Sequence, residues 1–150
     1  MPGISLGEAV HRLMHAYKSL LREAIAKQEI ELPVTQIRIL KGICRSPRGT
    51  AQSIAQRMQR DNAQITRALN DLIGAGLIVR VDNPADGRSH FLKPTSSGRK
   101  IVAGLDAAED WAVQQLTRNL QADDIALFLR VSNTMADSAR QILAPDKGEP

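Results

Sequence analysis

Apolar residues recur at three- and four-residue spacing from the first residues onward: Leu6, Val10, Leu13, Met14, Tyr17, Leu20, Leu21 and Ile25. That period predicts one long amphipathic helix over roughly 5–29. Pro33 interrupts it, and Thr35 is placed to cap a second helix carrying Ile37, Ile39, Leu40 and Ile43. Ser46-Pro47-Arg48-Gly49 reads as a loop. Thr50 then opens a short helix with Ile54, Ala55 and Met58 inward, and after a brief break Asp61 or Asn62 caps another, with Ile65, Ala68, Leu69 and Leu72 inward. Gly76 suits a left-handed position just past that helix.

At residue 77 the period changes. Residues 77–82 (LIVRVD) alternate and are rich in β-branched side chains, NPADGRS is turn chemistry, and HFLKP returns as a second strand. Thr95 caps a long helix to about Leu116, presenting Ile101, Val102, Leu105, Ala108, Ala112 and Leu116. A last helix over about 122–143 presents Ile125, Phe128, Leu129, Met135, Ala139, Ile142 and Leu143, with Asp123 and Asp124 favouring its N-terminal dipole. The tail over 146–150 is expected to be disordered.

Short helix, tight turn, second helix and hairpin in that order define a winged helix-turn-helix. The fold class expected is therefore mainly α with a small β-hairpin wing and long N- and C-terminal dimerisation helices. Residues 33–100 form the winged domain, and 1–32 with 101–145 a helical dimerisation region. The terminal stripes are too apolar for solvent, and pairing them with a second copy buries them, so a homodimer is expected.

Composition narrows the function. The net charge is only +4, but residues 33–100 hold twelve Lys and Arg against four Asp, while the first 32 residues are balanced and the last 50 are acidic. A basic middle segment attracts phosphate, so it fits either double-stranded DNA as a partner or a solvated basic surface with none. The single cysteine, Cys44, excludes an intramolecular disulfide framework and fits a reducing compartment. With neither a signal-like leader nor an apolar run of about 18 residues, a cytoplasmic protein without membrane partners is expected. The chain shows no glycine-rich phosphate loop, nucleophile elbow or metalloprotease motif, so neither catalysis nor a cofactor is expected.

In DNAQITRALNDLIGAG the side opposite the apolar face shows Asn62, Ala63, Gln64, Thr66, Arg67 and Asn70. Arg67 is suited to guanine, Gln64 or Asn62 to adenine, and Ala63 to a thymine methyl. Thr50, Gln52 and Thr66 suit phosphates. The competing reading has Gln64 closing a cap with Asp61 and Arg67 pairing with Asp71. At the hairpin tip Arg88 is suited to the minor groove. Asp86 either holds a nearby arginine or simply stabilises the turn.

Leu32 to Arg99 resembles the multiple-antibiotic-resistance regulator (MarR) family in LPVTQIRIL, TAQSIAQRM, QITRALNDLIGAGLIVR, NPADGRS and TSSGRK. The family's Asp-x-Arg falls on Asp86 and Arg88, and its Thr-x-x-Gly on Thr95 and Gly98. The chain departs from the pattern at Pro94, which should end the second strand early, and at Gly87, which should leave the tip less basic and more mobile. The resemblance implies a dimer on a pseudo-palindromic operator, often a repressor released by a small molecule or oxidant.

Family members bind aromatic acids between the dimerisation helices and the winged domain. The resemblance thus makes His11, His15, Tyr17, Arg38 and Trp111 candidates for a small aromatic or phenolic effector, although Tyr17 and Trp111 also suit a core. His11 and His15 stand at i,i+4, a spacing that can hold zinc but lacks a third ligand, so no metal is expected. Cys44 is read as a small core residue, because the peroxide-sensing branch carries its reactive cysteine on the first helix, where this chain has none. The alternative to a DNA-binding regulator is a winged-helix protein-interaction module without DNA binding. Its recognition face would be acidic or apolar, whereas Arg57, Arg60, Arg67 and Arg88 surround this one.

Overall fold

The computed structural model describes residues 3–144; the expected tail over 146–150 lies outside them. Six helices and one hairpin follow in the order α1 (Leu6–Lys27), α2 (Val34–Arg45), α3 (Ala51–Met58), α4 (Asn62–Gly74), β1 (Ile78–Asp82), β2 (His90–Pro94), α5 (Ser96–Thr117) and α6 (Ala122–Leu143). Spatial proximity divides the chain between residues 112 and 113, inside α5.

In the first unit, α1 starts at a Ser5 cap whose hydroxyl accepts the Glu8 N–H at 3.2 Å. It is followed by Glu29 in a left-handed conformation (φ 56°). The start of α2 differs from expectation. Pro33, not Thr35, occupies the cap, with no side-chain hydrogen bond, and Thr35 lies inside the first turn. The proline ring presets the backbone angle, and its carbonyl already accepts the Ile37 N–H at 3.0 Å, so a hydroxyl cap two residues later has no role.

The core joins Ile39, Leu40 and Ile43 of α2 to Ile54 and Ala55 of α3, Ile65, Ala68, Leu69 and Leu72 of α4, and Leu77, Ile78 and Leu92 at the hairpin. Each large member stabilises the fold by roughly 1.5–3 kcal/mol relative to exposure. Leu105, Ala108 and Ala112 of α5 and Ala24 of α1 are also buried. Lys41 of α2, only 12% exposed, pairs with Asp106 at 3.7 Å and with Glu109, both on α5.

The hairpin is antiparallel, with Ile78 opposite Pro94, Arg80 opposite Leu92 and Asp82 opposite His90. Pro94 does not end β2 early. Its missing N–H is bypassed, because Thr95 supplies the next one to the Leu77 carbonyl at 3.0 Å. The Thr-x-x-Gly motif then has a direct physical reading. The Thr95 hydroxyl donates to the Gly76 carbonyl at 2.6 Å and accepts the Gly98 N–H at 3.1 Å, capping α5 while fastening it to the end of α4. A Cβ on Gly98 would stand 2.1 Å from the Leu77 carbonyl oxygen, so only glycine fits. Gly76 has φ 74°, as its place after α4 predicts.

In the second unit, the end of α5 turns at Thr117–Leu120 into α6, whose start is fixed by the Gln121 N–H donating to Asp124 at 2.9 Å. None of the α6 residues is buried; Leu127, Phe128, Leu129, Val131, Met135, Ile142 and Leu143 are all exposed. The stripe expected to be buried against a second copy thus has no cover within its own unit. The fold is mainly helical with a two-stranded wing, as the order of elements predicts.

Candidate nucleic-acid interface

Two caps and an unusual turn set the short helices. At α3, the Thr50 hydroxyl accepts the Ser53 N–H at 3.2 Å, and the Ser53 hydroxyl accepts the Thr50 N–H at 2.9 Å. The helix ends at Gln59, which takes a left-handed conformation (φ 51°) that glycine adopts more cheaply. Asp61 then caps α4 by accepting the Ala63 N–H at 3.2 Å.

With Ile65, Ala68, Leu69 and Leu72 buried, the other side of α4 is exposed, including Asn62, Ala63, Gln64, Thr66, Arg67 and Asn70. Gln64 does not close the Asp61 cap. Arg67 does not pair with Asp71; that carboxylate instead accepts the Gln36 amide at 3.3 Å. Among the described residues Arg67 makes no ion pair, and with Gln64 and Arg60 it lines an open hollow beside α2.

A second groove, of about 280 Å³, gathers Thr50, Gln52 and Thr66 with Arg88 of the wing. The sequence suits the first three to phosphates and Arg88 to the minor groove. Three further polar lining residues, Arg80, Ser89 and His90, are not evident from the sequence pattern of the helices. A signal exists all the same: counting by twos from buried Ile78 puts Arg80 and Asp82 on the hairpin face that turns toward the helices. Arg80 donates to the Asn70 amide oxygen at 2.9 Å, tying the wing to α4. The Leu92 N–H donates to the Gly49 carbonyl at 2.9 Å, tying it to the start of α3.

The wing tip is a set of nested turns. Asn83 accepts the Ala85 N–H at 3.0 Å and donates to the Ser89 hydroxyl at 2.9 Å, while the Asp86 carboxylate accepts the backbone N–H of Arg88 at 3.0 Å. Asp86 therefore organises the turn and holds no guanidinium, because its oxygen is closest to the backbone two residues on. Gly87 sits within this bonded loop, with open space around it. Arg88 remains exposed at the tip.

The effector candidates are not brought together. His11 and His15 are exposed and line a shallow hollow on α1 itself, with Ile4, Arg12 and Leu13. Tyr17 is half-buried farther along α1. Arg38 lies on α2 at a different hollow, with Arg45, Arg57 and Met58. Trp111 is half-buried, with the Lys27 ammonium 5.2 Å above its ring. Among the described residues no three His, Cys, Asp or Glu side chains form a metal-ligating group. Cys44 is half-buried rather than fully inside. Burial pushes its thiol pKa up, Arg99 opposes this, and Asp106 adds to it. No helix among the described residues is long and apolar enough to cross a membrane.

The model of the MarR family matches residues 32–90, from the approach to α2 to the first residue of β2. The multiple antibiotic resistance protein MarR of Escherichia coli is 28% identical over 129 residues, covering 82% of this chain and 85% of that one. The transcriptional regulator HosA of Escherichia coli O111:H- is 22% identical, covering 85% and 97%. A crystal structure of a cysteine variant of Escherichia coli MarR superposes with a TM-score of 0.71 at 25% identity, covering 91% of this chain and 99% of that one. The same variant complexed with operator DNA gives 0.68 at 25% identity, covering 87% and 92%. These likenesses run through the capped helices, the wing and most of the flanking chain: residues 32–90 match the MarR family, and the chain as a whole is similar to MarR transcriptional regulators.

Proposed function

We propose that this protein is a sequence-specific DNA-binding repressor of the cytoplasm, acting as a homodimer on a pseudo-palindromic operator and released by a small aromatic or phenolic effector. One observation carries the reading. The polar side of α4 is exposed, with Arg67 in no ion pair among the described residues, and the capped start of α3 and the wing's Arg88 share a groove with Thr66 on that helix.

Arg67 takes the role of a two-pronged donor to guanine, Asn62 and Gln64 read adenine, and Ala63 meets a thymine methyl. Thr50, Gln52 and Thr66 hold phosphates beside the helix N-termini. Arg88 enters the minor groove from a turn organised by Asp86. The uncovered apolar residues Leu6, Val10, Leu13 and Met14 of α1, and those of α6, supply the surface for a second copy. A two-fold dimer then reads half-sites about 34–36 Å apart. The complex of a similar protein with operator DNA supports the DNA partner, and a further similar structure is that of a multiple antibiotic resistance repressor. The effector role rests on family resemblance alone, and the hollow at His11 and His15 is where a screen would begin.

Selection of bound duplexes from random DNA, followed by a salt titration on the enriched site, tests the proposal. A palindromic consensus is expected, with affinity falling ~10³–10⁵-fold between 50 and 200 mM salt for about 6–10 phosphate contacts. No enrichment, or an affinity nearly indifferent to salt, would refute it.

A further inference from the structure

The inner face of the hairpin changes character along its length. Ile78 and Leu92 are buried against the helices, Arg80 bonds to Asn70, and the outermost pair is Asp82 opposite His90. The His90 Nδ1 lies 3.4 Å from the Asp82 carboxylate, leaving Nε2 as the nitrogen available to a ligand. His90 also lines the groove shared by Thr50, Thr66 and Arg88.

From this placement we propose that His90 is a further contact to the DNA backbone. As the imidazolium it donates Nε2–H to a phosphate, so affinity for duplex DNA rises as pH falls. The inference rests on the DNA-binding reading above.

The electrostatics give the direction. Asp82 is almost wholly solvent-exposed at the wing stem and repels a phosphate brought against it. A neutral imidazole leaves that charge uncompensated. The imidazolium neutralises it and adds a charge-assisted donor. The charged groups facing the ring are Asp82 and Arg80 from β1 and Arg88 from the loop. From the helix side, Thr50, Gln52 and Thr66 bring no titrating group. The two arginines oppose protonation, whereas Asp82 and an incoming phosphate favour it. Proton uptake on binding follows from that balance. DNA phosphodiesters keep their charge between pH 6.0 and 8.0, so they add no pH dependence of their own.

The test measures affinity by fluorescence anisotropy at pH 6.0 and 8.0, at fixed ionic strength, on a duplex selected from random DNA. The wild-type protein should bind roughly three- to tenfold more tightly per protomer at pH 6.0, with a salt slope steeper by about 0.9 per protomer. H90Q should keep the pH 8.0 affinity at both pH values, and H90K should show the steep slope at both. Any pH dependence arising from His11 or His15 persists in both variants and is subtracted. Thermal melts at each pH check that the variants fold. If H90Q binds DNA with the wild-type pH dependence, or the wild type shows none, His90 is not a contact and the DNA reading stands. If the wild type fails to bind any duplex at pH 6.0 and low salt, the DNA reading itself falls.

Discussion

Three glycines around the junction of α4, the wing and α5 should respond with different signs to the same added methyl group. At Gly98 the new Cβ would lie 2.1 Å from the Leu77 carbonyl oxygen and 3.1 Å from its carbon, with Leu40 Cδ1 at 3.4 Å. Backbone cannot rotate aside as a flexible side chain can, so α5 and the strand approach must part by about 1.3 Å to reach an ordinary contact. That movement stretches the Thr95 N–H bond to Leu77 and the Thr95 hydroxyl bond to Gly76. Two weakened hydrogen bonds and an overpacked contact together should cost about 4 kcal/mol, a large part of the ~5–15 kcal/mol that holds a domain folded. At Gly76, with φ 74° and open space, alanine should cost only about 1–2 kcal/mol of backbone strain. At Gly74, the last residue of α4 with nothing within 4 Å, alanine should stabilise by about 0.5–1 kcal/mol. Urea denaturation followed by helical circular dichroism, at one fixed protein concentration, ranks the three variants. If G98A were no less stable than G74A, the close approach of α5 to Leu77 and the explanation of the Thr-x-x-Gly motif would both be wrong.

Arg67→Ala should weaken binding to a selected duplex by about 1–3 kcal/mol and relax preference at one base per half-site; an equal loss on random DNA would make Arg67 a phosphate contact. Arg88→Ala should lower affinity on all duplexes with little change in the selected consensus, and unchanged affinity would mean the wing does not dock. For Cys44, the raised thiol pKa keeps the folded side chain neutral at pH 8, so alkylation should be slower in the native protein than in urea. The stability tied to that neutral thiol is present below the unfolded thiol's range and is lost as pH rises through the raised folded value. Cys44→Ser should leave DNA affinity unaltered, and peroxide should affect both proteins alike; a peroxide response confined to the wild type would identify a redox switch.

Much of the fold is legible along the chain because two periods separate cleanly. The stripe Ile65, Ala68, Leu69 and Leu72 can be buried only on a helix, and the alternation from Leu77 only on a strand. Thr50, Asp61 and Thr95 are recognisable as caps because each precedes an apolar run. Legibility fails where geometry is decided by a neighbour in space. Pro33 displaces Thr35 as the start of α2 because a preset backbone needs no hydroxyl, and Gln59 holds a left-handed turn that its side chain does not advertise. At the candidate site, the exposed side of α4 follows from its buried side, so Asn62, Gln64 and Arg67 could be named in advance. Arg80 and His90 stay hidden as long as strand alternation is used to find the core and not followed outward past its rim. The effector candidates share a chemistry but stand on separate helices, and spacing within one helix carries no information about distance to another.

The two ties on the hairpin, Arg80 to Asn70 and Leu92 to Gly49, bear on how such a protein measures its target. They anchor the wing to both short helices at once, so the span from the α4 surface to the Arg88 tip is set before any ligand arrives. A preset span works as a caliper: a duplex whose grooves do not match must itself twist or bend, and pays for that deformation. Discrimination then extends to base pairs that no side chain reaches, and cutting either tie should widen the range of sequences accepted.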